Sequence, residues 1–298
     1  MPTCWPLLRS ARALAPPWDS GPGLAFLRHH LRISPELALF LASVDGRPVG
    51  CGAAGTWVPG DASDYAPGDA SVLPPYRHRG VGTALLRAVS AHARDVGRRG
   101  LTVEVREDDS ATLAFAARRG YAEVERQKAV VLELDDVPAR AVEPPPGVEI
   151  VTRAERDDLG AGMYAAALEA GRDIPGLDGE HEPTYEEWSS FELDRPGRRP
   201  ELCFLALVDD EVVGFASLEV GGGIGYHGLT AVRPAHRRRG IARALKLSQI
   251  AAARELGLPR LVTESEEHNE PMRRLNASLG YRAVPGMVVL QGPLIEAG

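Results

Sequence analysis

The sequence predicts two mixed α/β modules in tandem, and three observations predict them. The chain has 298 residues, enough for two domains of roughly 150 residues each. Two segments of it match at a constant offset of 160 residues. Within each copy, apolar strand-like runs alternate with a glycine loop and helix-periodic stretches, the order of an α/β module.

The repeat weighs more than any single motif. Val72-Leu-Pro-Pro-Tyr-Arg77-His-Arg79-Gly80-Val-Gly82 aligns with Val232-Arg-Pro-Ala-His-Arg237-Arg-Arg239-Gly240-Ile-Ala242 in a shared V-x-P-x-x-R-x-R-G frame. The register then holds: Leu101 matches Leu261, Glu104 matches Glu264, Asp109 matches Asn269, and Gly120-Tyr121 matches Gly280-Tyr281. Upstream, an apolar strand, polar turn and apolar strand span residues 37–55 around Asp45-Gly46 and recur over 202–220 around Asp209-Asp210. There the offset becomes 164, because Gly50 matches Gly214; the first copy carries four extra residues in the turn-rich stretch 59–68. Each copy therefore reads as a hairpin, a third strand, a glycine loop, a helix, another strand and a last helix before Gly-Tyr. Val81, Leu85, Ala88, Val89 and Val96 follow helical spacing after Gly80, and Ile241, Ala244, Leu245, Ile250 and Ala252 follow it less regularly after Gly240. Pro138, Pro144, Pro145 and Pro146 mark a stiff, extended connection. The expected division is a module at 1–137, a linker at 138–147 and a module at 148–298.

Composition narrows the function. The formal charge is 34 minus 41, or -7, which argues against a general nucleic-acid binder. Apolar residues make up 44% without a run long enough to cross a membrane. Cys4, Cys51 and Cys203 are odd in number and far apart, so neither a disulfide framework nor a metal site is expected. Pro2, Pro6, Pro16 and Pro17 interrupt any signal-peptide core. The expectation is a cytoplasmic protein without metal, membrane or nucleic-acid partners.

Both helices open at a glycine loop, where the first backbone N–H groups have no intrahelical partner and can converge on an anion. Arg77, His78, Arg79, Gly80, Val81 and Gly82, and in the second copy Arg237, Arg238, Arg239, Gly240, Ile241 and Ala242, form the expected cradle, its arginines adding donors for phosphate. Neither loop has the lysine of a P-loop or the third glycine of a dinucleotide fingerprint. A different diphosphate-bearing ligand is implied.

These loops resemble the [RQ]-x-x-G-x-[GA] motif of the GCN5-related N-acetyltransferase family, over about residues 37–134 and 148–293. The resemblance implies two tandem acyl-CoA N-acyltransferase domains with acetyl-CoA as cosubstrate, a splayed strand pair for its pantetheine arm, and the N–H of Val232 as a donor to the thioester carbonyl. It also places Asn269 on the cofactor side, and it puts the family's frequent general-acid tyrosine on Asn276 and, in the first copy, on Ala116. Asparagine can donate a hydrogen bond to sulfur but not a proton. For the base that receives the ammonium proton, His227 and Glu264 are the candidates, with Tyr226 beside them.

The second copy is expected to be the catalytic one. The first has less chain before its hairpin for an acceptor pocket and has Asp109, a carboxylate, in place of Asn269. Asp178, Glu180, Glu182, Glu186 and Glu187, with His181 and Tyr185, form either an attractive wall for a cationic amine or a solvated loop, and Trp188 fits a core anchor. Cys203, in an apolar strand, fits a filler. The leading expectation is acetyl transfer to a primary amine of a small molecule by direct attack in a ternary complex. The alternatives are a non-catalytic CoA-binding regulator or scaffold, and transfer of a longer acyl group to a specialised amine in the manner of mycothiol synthases. The expected assembly is a pseudo-dimeric monomer or a homodimer.

Overall fold

The computed structural model describes residues 24–56, 63–173 and 182–296. The chain forms two compact units. The first consists of residues up to Gln127 together with Pro285–Gly298, and the second of Lys128–Val284. They differ from the linear halves 1–137 and 148–298: the first unit takes Pro285–Gly298 from the second half, and the second unit opens with residues 128–137 of the first.

The first unit contains helix α1 (Leu24–Ile33), strands β1 (Ala38–Val44), β2 (Arg47–Ala54) and β3 (Tyr65–Val72), helix α2 (Val81–Asp95), strand β4 (Gly100–Arg106), helix α3 (Ser110–Ala117) and the start of strand β5 (Ala122–Glu133). Its sheet runs β1-β2-β3-β4 and is completed by the end of β11 (Arg282–Pro293), which lies antiparallel to β4 from Met287↔Arg106 to Pro293↔Gly100. Leu86, Val89 and Ala93 of α2 pack with Leu101, Tyr121, Val288 and Leu290, so the borrowed strand supplies core as well as hydrogen bonds.

The second unit continues with the end of β5, strand β6 (Glu149–Thr152), helices α4 (Gly160–Gly171) and α5 (Tyr185–Glu192), strands β7 (Cys203–Val208), β8 (Glu211–Gly221) and β9 (Ile224–Val232), helix α6 (Ile241–Glu255), strand β10 (Arg260–Glu266), helix α7 (Glu270–Leu279) and the start of β11. Its strand order is β5-β10-β9-β8-β7-β6. One face carries α4 and α5 over Leu205, Phe215 and Ala231. The opposite face carries α6 over Val213, Ala216 and Val232.

The hairpin turns follow from local chemistry. Asp45-Gly46 and Asp209-Asp210 both hold two consecutive residues at positive φ, the geometry a two-residue turn needs to match strand twist. Residues 138–146 adopt neither helix nor strand, as the prolines require.

Candidate active site

The two glycine loops have the same backbone. Arg77 is extended (φ -67, ψ 160) and so is Arg237 (φ -70, ψ 165). His78 and Arg238 follow at φ 60 and 58, and Gly80 and Gly240 at φ 83 and 87. Left-handed backbone at a non-glycine residue costs about 1 kcal/mol, so its recurrence at one position in both loops marks a shape the sequence specifies. Neither helix that follows has a side-chain cap. The first helical bonds are Ala84 N–H to Gly80 and Ala244 N–H to Gly240, which leaves the amides of residues 81–83 and 241–243 for an anion.

The loop arginines also make contacts within the protein. Arg77 donates through Nε to the Val72 carbonyl (2.9 Å) and Arg237 to that of Val232 (3.1 Å), tying each loop to the strand that enters it. Arg237 also pairs with Asp173 at 2.5 Å. Arg79 lies over the Tyr76 ring and Arg239 bonds His236, while Arg238 is exposed on the loop. Asn269 and Asp109 are helix caps: Asn269 accepts from Met272 N–H and Asp109 from Thr112 N–H. Both side chains thus have the same local role, and they differ in charge.

Beside each loop a parallel strand pair opens. β9 pairs with β10 only at Gly225↔Leu261 and Tyr226↔Val262, beyond which the strands run on to Val232 and Glu266 without further register. β3 and β4 part likewise after Pro67↔Thr102. Arg233 N–H bonds Val213, so the neighbouring pair Gly214↔Val232 is the non-hydrogen-bonded kind, and the Val232 N–H points to the opened edge.

Here the copies diverge. In the first, β2 and β3 stay in register from Gly50↔Val72 to Ala54↔Gly68. In the second, the register of β8 with β9 slips between Ala216↔Thr230 and Leu218↔His227, so Gly228 and Leu229 share the place opposite Ser217. This is a β-bulge, and it switches the faces of the strand. Leu229 and Ala231 join the α4 side, whereas Val232 and, before the bulge, His227 face α6.

Beneath the bulge lies a buried polar cluster. Gln249 Nε2 donates to the Ser217 carbonyl at 2.7 Å, which turns Gln249 Oε1 toward His227 Nδ1, also at 2.7 Å. Nδ1 must then carry the proton, and Nε2 accepts from the Tyr281 hydroxyl. Burial, with the nearby Lys246 charge, pushes the His227 pKa well below 6.5. Both ring nitrogens are used inside the protein, so in this arrangement His227 has no lone pair for a substrate proton, contrary to its expected role as base. Lys246, 1% exposed on α6, is pushed by burial to about 7. Burial also raises the Tyr281 phenol. At the corresponding positions the first copy has Leu86 and Val89 for Lys246 and Gln249 and Ala116 for Asn276, and by strand pairing Gly68 takes the place of His227. Asn276 is buried, and its Oδ1 has no partner among the described residues.

On the opposite face, the Tyr226 hydroxyl donates to Glu264 Oε2 at 3.0 Å, across the point where β9 and β10 part. Glu219 stands opposite Tyr226 on β8 and is paired with Arg195 and Arg198. A small cavity alongside is lined by Arg153, Glu192, Arg198, Cys203, Phe215 and Ser217. The Cys203 thiol is buried and pushed up to about 11, which suits a filler and not a nucleophile. Trp188 is a core residue packed on Phe215. Of the acidic segment, Asp178, Glu180 and His181 lie outside the described residues; Glu187 closes a capping box with Thr184, and Glu182 pairs with Arg172. Among the described residues there is no metal-binding cluster, and no helix is long and apolar enough to cross a membrane.

Each half thus pairs an uncapped anion cradle with an opened strand edge, the groove that a diphosphate-headed acyl carrier with an extended arm requires. The chain belongs to the acetyltransferase (GNAT) family, whose sequence profile matches it twice, at residues 5–121 and 164–281. It is 30% identical over 263 residues to a mycothiol acetyltransferase of Thermomonospora curvata, covering 85% of this chain and 78% of that one. It is also 30% identical over 235 residues to a mycothiol acetyltransferase of Acidothermus cellulolyticus, covering 71% and 66%. Among solved structures, a tandem GNAT protein from the clavulanic acid biosynthesis pathway superposes with a TM-score of 0.75 at 23% identity, over 98% of this chain and 94% of that one. The chain is a tandem two-domain GNAT protein.

Proposed function

We propose that this protein transfers an acetyl group from acetyl-CoA to a primary amine of a small molecule, and that the second half performs the reaction. The observation that carries this reading is the asymmetry between otherwise matching grooves: only the second has the bulge, the Tyr226–Glu264 pair and a polar layer beneath the strand. The groove fits the cosubstrate. Loop amides 241–243 suit a pyrophosphate, the Val232 N–H faces the opened edge, and Asn276 Oδ1 offers a buried acceptor to an amide-bearing arm.

Acetyl-CoA supplies the activated acyl group when bound. The protein's part is polarisation and proton acceptance. The Val232 N–H donates to the thioester oxygen. Glu264, oriented by Tyr226, takes the ammonium proton. Asn276, without an acidic proton, holds the thiol end by hydrogen bonding, so water reprotonates the sulfur. The two relatives named mycothiol acetyltransferases make the deacetylated form of mycothiol the first acceptor to assay.

The test follows thiol release from acetyl-CoA over an amine panel, comparing the parent with Gly240→Glu and Gly80→Glu, both shown folded. Amine-dependent turnover lost in Gly240→Glu and kept in Gly80→Glu is the expected result. The reverse pattern would move the active site to the first half, and CoA binding without turnover on any amine would favour a regulatory role.

A further inference from the structure

We propose that Gln249 is a positioning residue: together with His227 it holds the β9 bulge, and the bulge is what sets Tyr226 against Glu264 on the acceptor face. This rests on the second half being the catalytic one, but its structural part can be tested without turnover.

The geometry begins with strand parity. In a regular strand alternate residues share a face, and a slip of one residue moves them all. The first copy shows the regular case. Val72 lies beside α2, near the Cβ position of Gly82, and at the same parity Gly68 approaches Val89 of α2, while Ala66 is buried in the α2 core. The second copy places Val232 against α6 as well, so a regular β9 would turn Gly228 and Tyr226 toward α6. With the bulge at Gly228 and Leu229, His227 faces α6 instead and Tyr226 faces away. Counted by its partner on the next strand, Tyr226 (opposite Val262) takes the place of Pro67 (opposite Thr102); counted back from Val232, its phenol reaches Glu264 only because the bulge changes the parity.

Something must favour the bulged register over the regular one. Gln249 meets the bulge at its centre, since Ser217 is the residue faced by two residues of β9 and its carbonyl accepts from Gln249 Nε2. The other end of the same amide fixes His227, and His227 is fixed again by Tyr281. The side chain that must point at α6 is thereby locked there at both nitrogens. Where the register is regular, the residues at these places are Val89 and Gly68, which offer no such bonds. Polar lock and bulge occur together in one copy and are absent together from the other.

The experiment compares the full-length parent with Gln249→Val, the residue of the first copy, and with Gln249→Glu. The glutamate keeps an acceptor for His227 Nδ1–H but cannot donate to Ser217. Both are checked for an intact thermal transition. Hydrogen–deuterium exchange of peptides covering residues 214–232 is followed beside CoA affinity by calorimetry and, with an accepted amine, kcat and KM. The expected result for Gln249→Val is exchange at least tenfold faster at residues 226–230, CoA affinity within about twofold of the parent, and kcat lowered tenfold or more at unchanged KM for acetyl-CoA. Gln249→Glu falls between the two. Unchanged exchange at 226–230 overturns the lock, and so does a loss of CoA affinity parallel to kcat, which would mean general damage to α6. If the parent turns over no amine, the catalytic assignment fails, while the exchange result still decides whether Gln249 holds the bulge.

Discussion

Replacing Lys246 by leucine, the residue at the matching position of the first copy, should stabilise the second unit by an amount that depends on pH. The ammonium sits 1% exposed on α6, with Nζ 5.9 Å from the Tyr281 ring centroid, and burial lowers its pKa from 10.5 to about 7. The unfolded chain binds this proton more tightly than the folded one. The group's unfavourable effect is therefore absent above the unfolded pKa, grows as pH falls, and is complete below the folded pKa. With 1.36 kcal/mol for each pKa unit, the penalty is about 4 kcal/mol at pH 7 and about 2 kcal/mol at pH 9. A leucine side chain removes it with little change in volume. Urea unfolding of parent and Lys246→Leu at both pH values should give a gain about 2 kcal/mol larger at pH 7. A gain of equal size at the two values would refute the reasoning, because it would mean that Lys246 folds with its proton in place.

Further outcomes follow from the same geometry. Glu264→Gln should lower kcat roughly 100-fold by removing the proton acceptor, and Tyr226→Phe should lower it less, with acetyl-CoA KM unchanged in both; steady-state kinetics decides. Gly292→Ala would place a Cβ 2.4 Å from Tyr121 Cγ and should destabilise the first unit by about 1–3 kcal/mol, read from urea unfolding, with little cost in a Tyr121→Ala background. Trp188→Ala, which empties a site packed on Phe215 and Tyr164, should cost about 3–5 kcal/mol in the same assay.

The parts of this molecule that depend on local chemistry were legible in the sequence. Asp45-Gly46, Asp209-Asp210 and the two R-x-R-G loops dictate their own backbone, and helix and strand order followed from periodicity. What was not legible depends on partners distant in the chain. His227 looks like a base when only its residue type and strand are known; its role is set by Gln249 and Tyr281, which take both nitrogens. Nothing in the R-x-R-G spacing shows that Arg77 and Arg237 also tie their loops, through Nε, to the carbonyls of Val72 and Val232. A signal for the polar layer was nonetheless present, because the repeat aligns Lys246 with Leu86 and Gln249 with Val89, and a polar residue at a position where its twin is core is a departure that calls for a reason. The bulge left no such trace, since the offset changes from 164 to 160 between Gly214 and Val232 and the difference in length between the copies hides its one extra residue.

The partition of the two twelve-residue strands bears on how the protein is made. Residues 128–284 form one unbroken stretch, so the second unit has all of its chain once Val284 has emerged from the ribosome. The first unit was synthesised earlier but must wait longer, because the strand that covers β4 is residues 287–293. Throughout that interval β4 presents a bare hydrogen-bonding edge carrying Leu101, Val103 and Val105, a surface prone to pairing with other nascent chains. The half expected to do no chemistry is thus the one whose maturation is last, and crowded, rapid expression should reveal it as the origin of any aggregate.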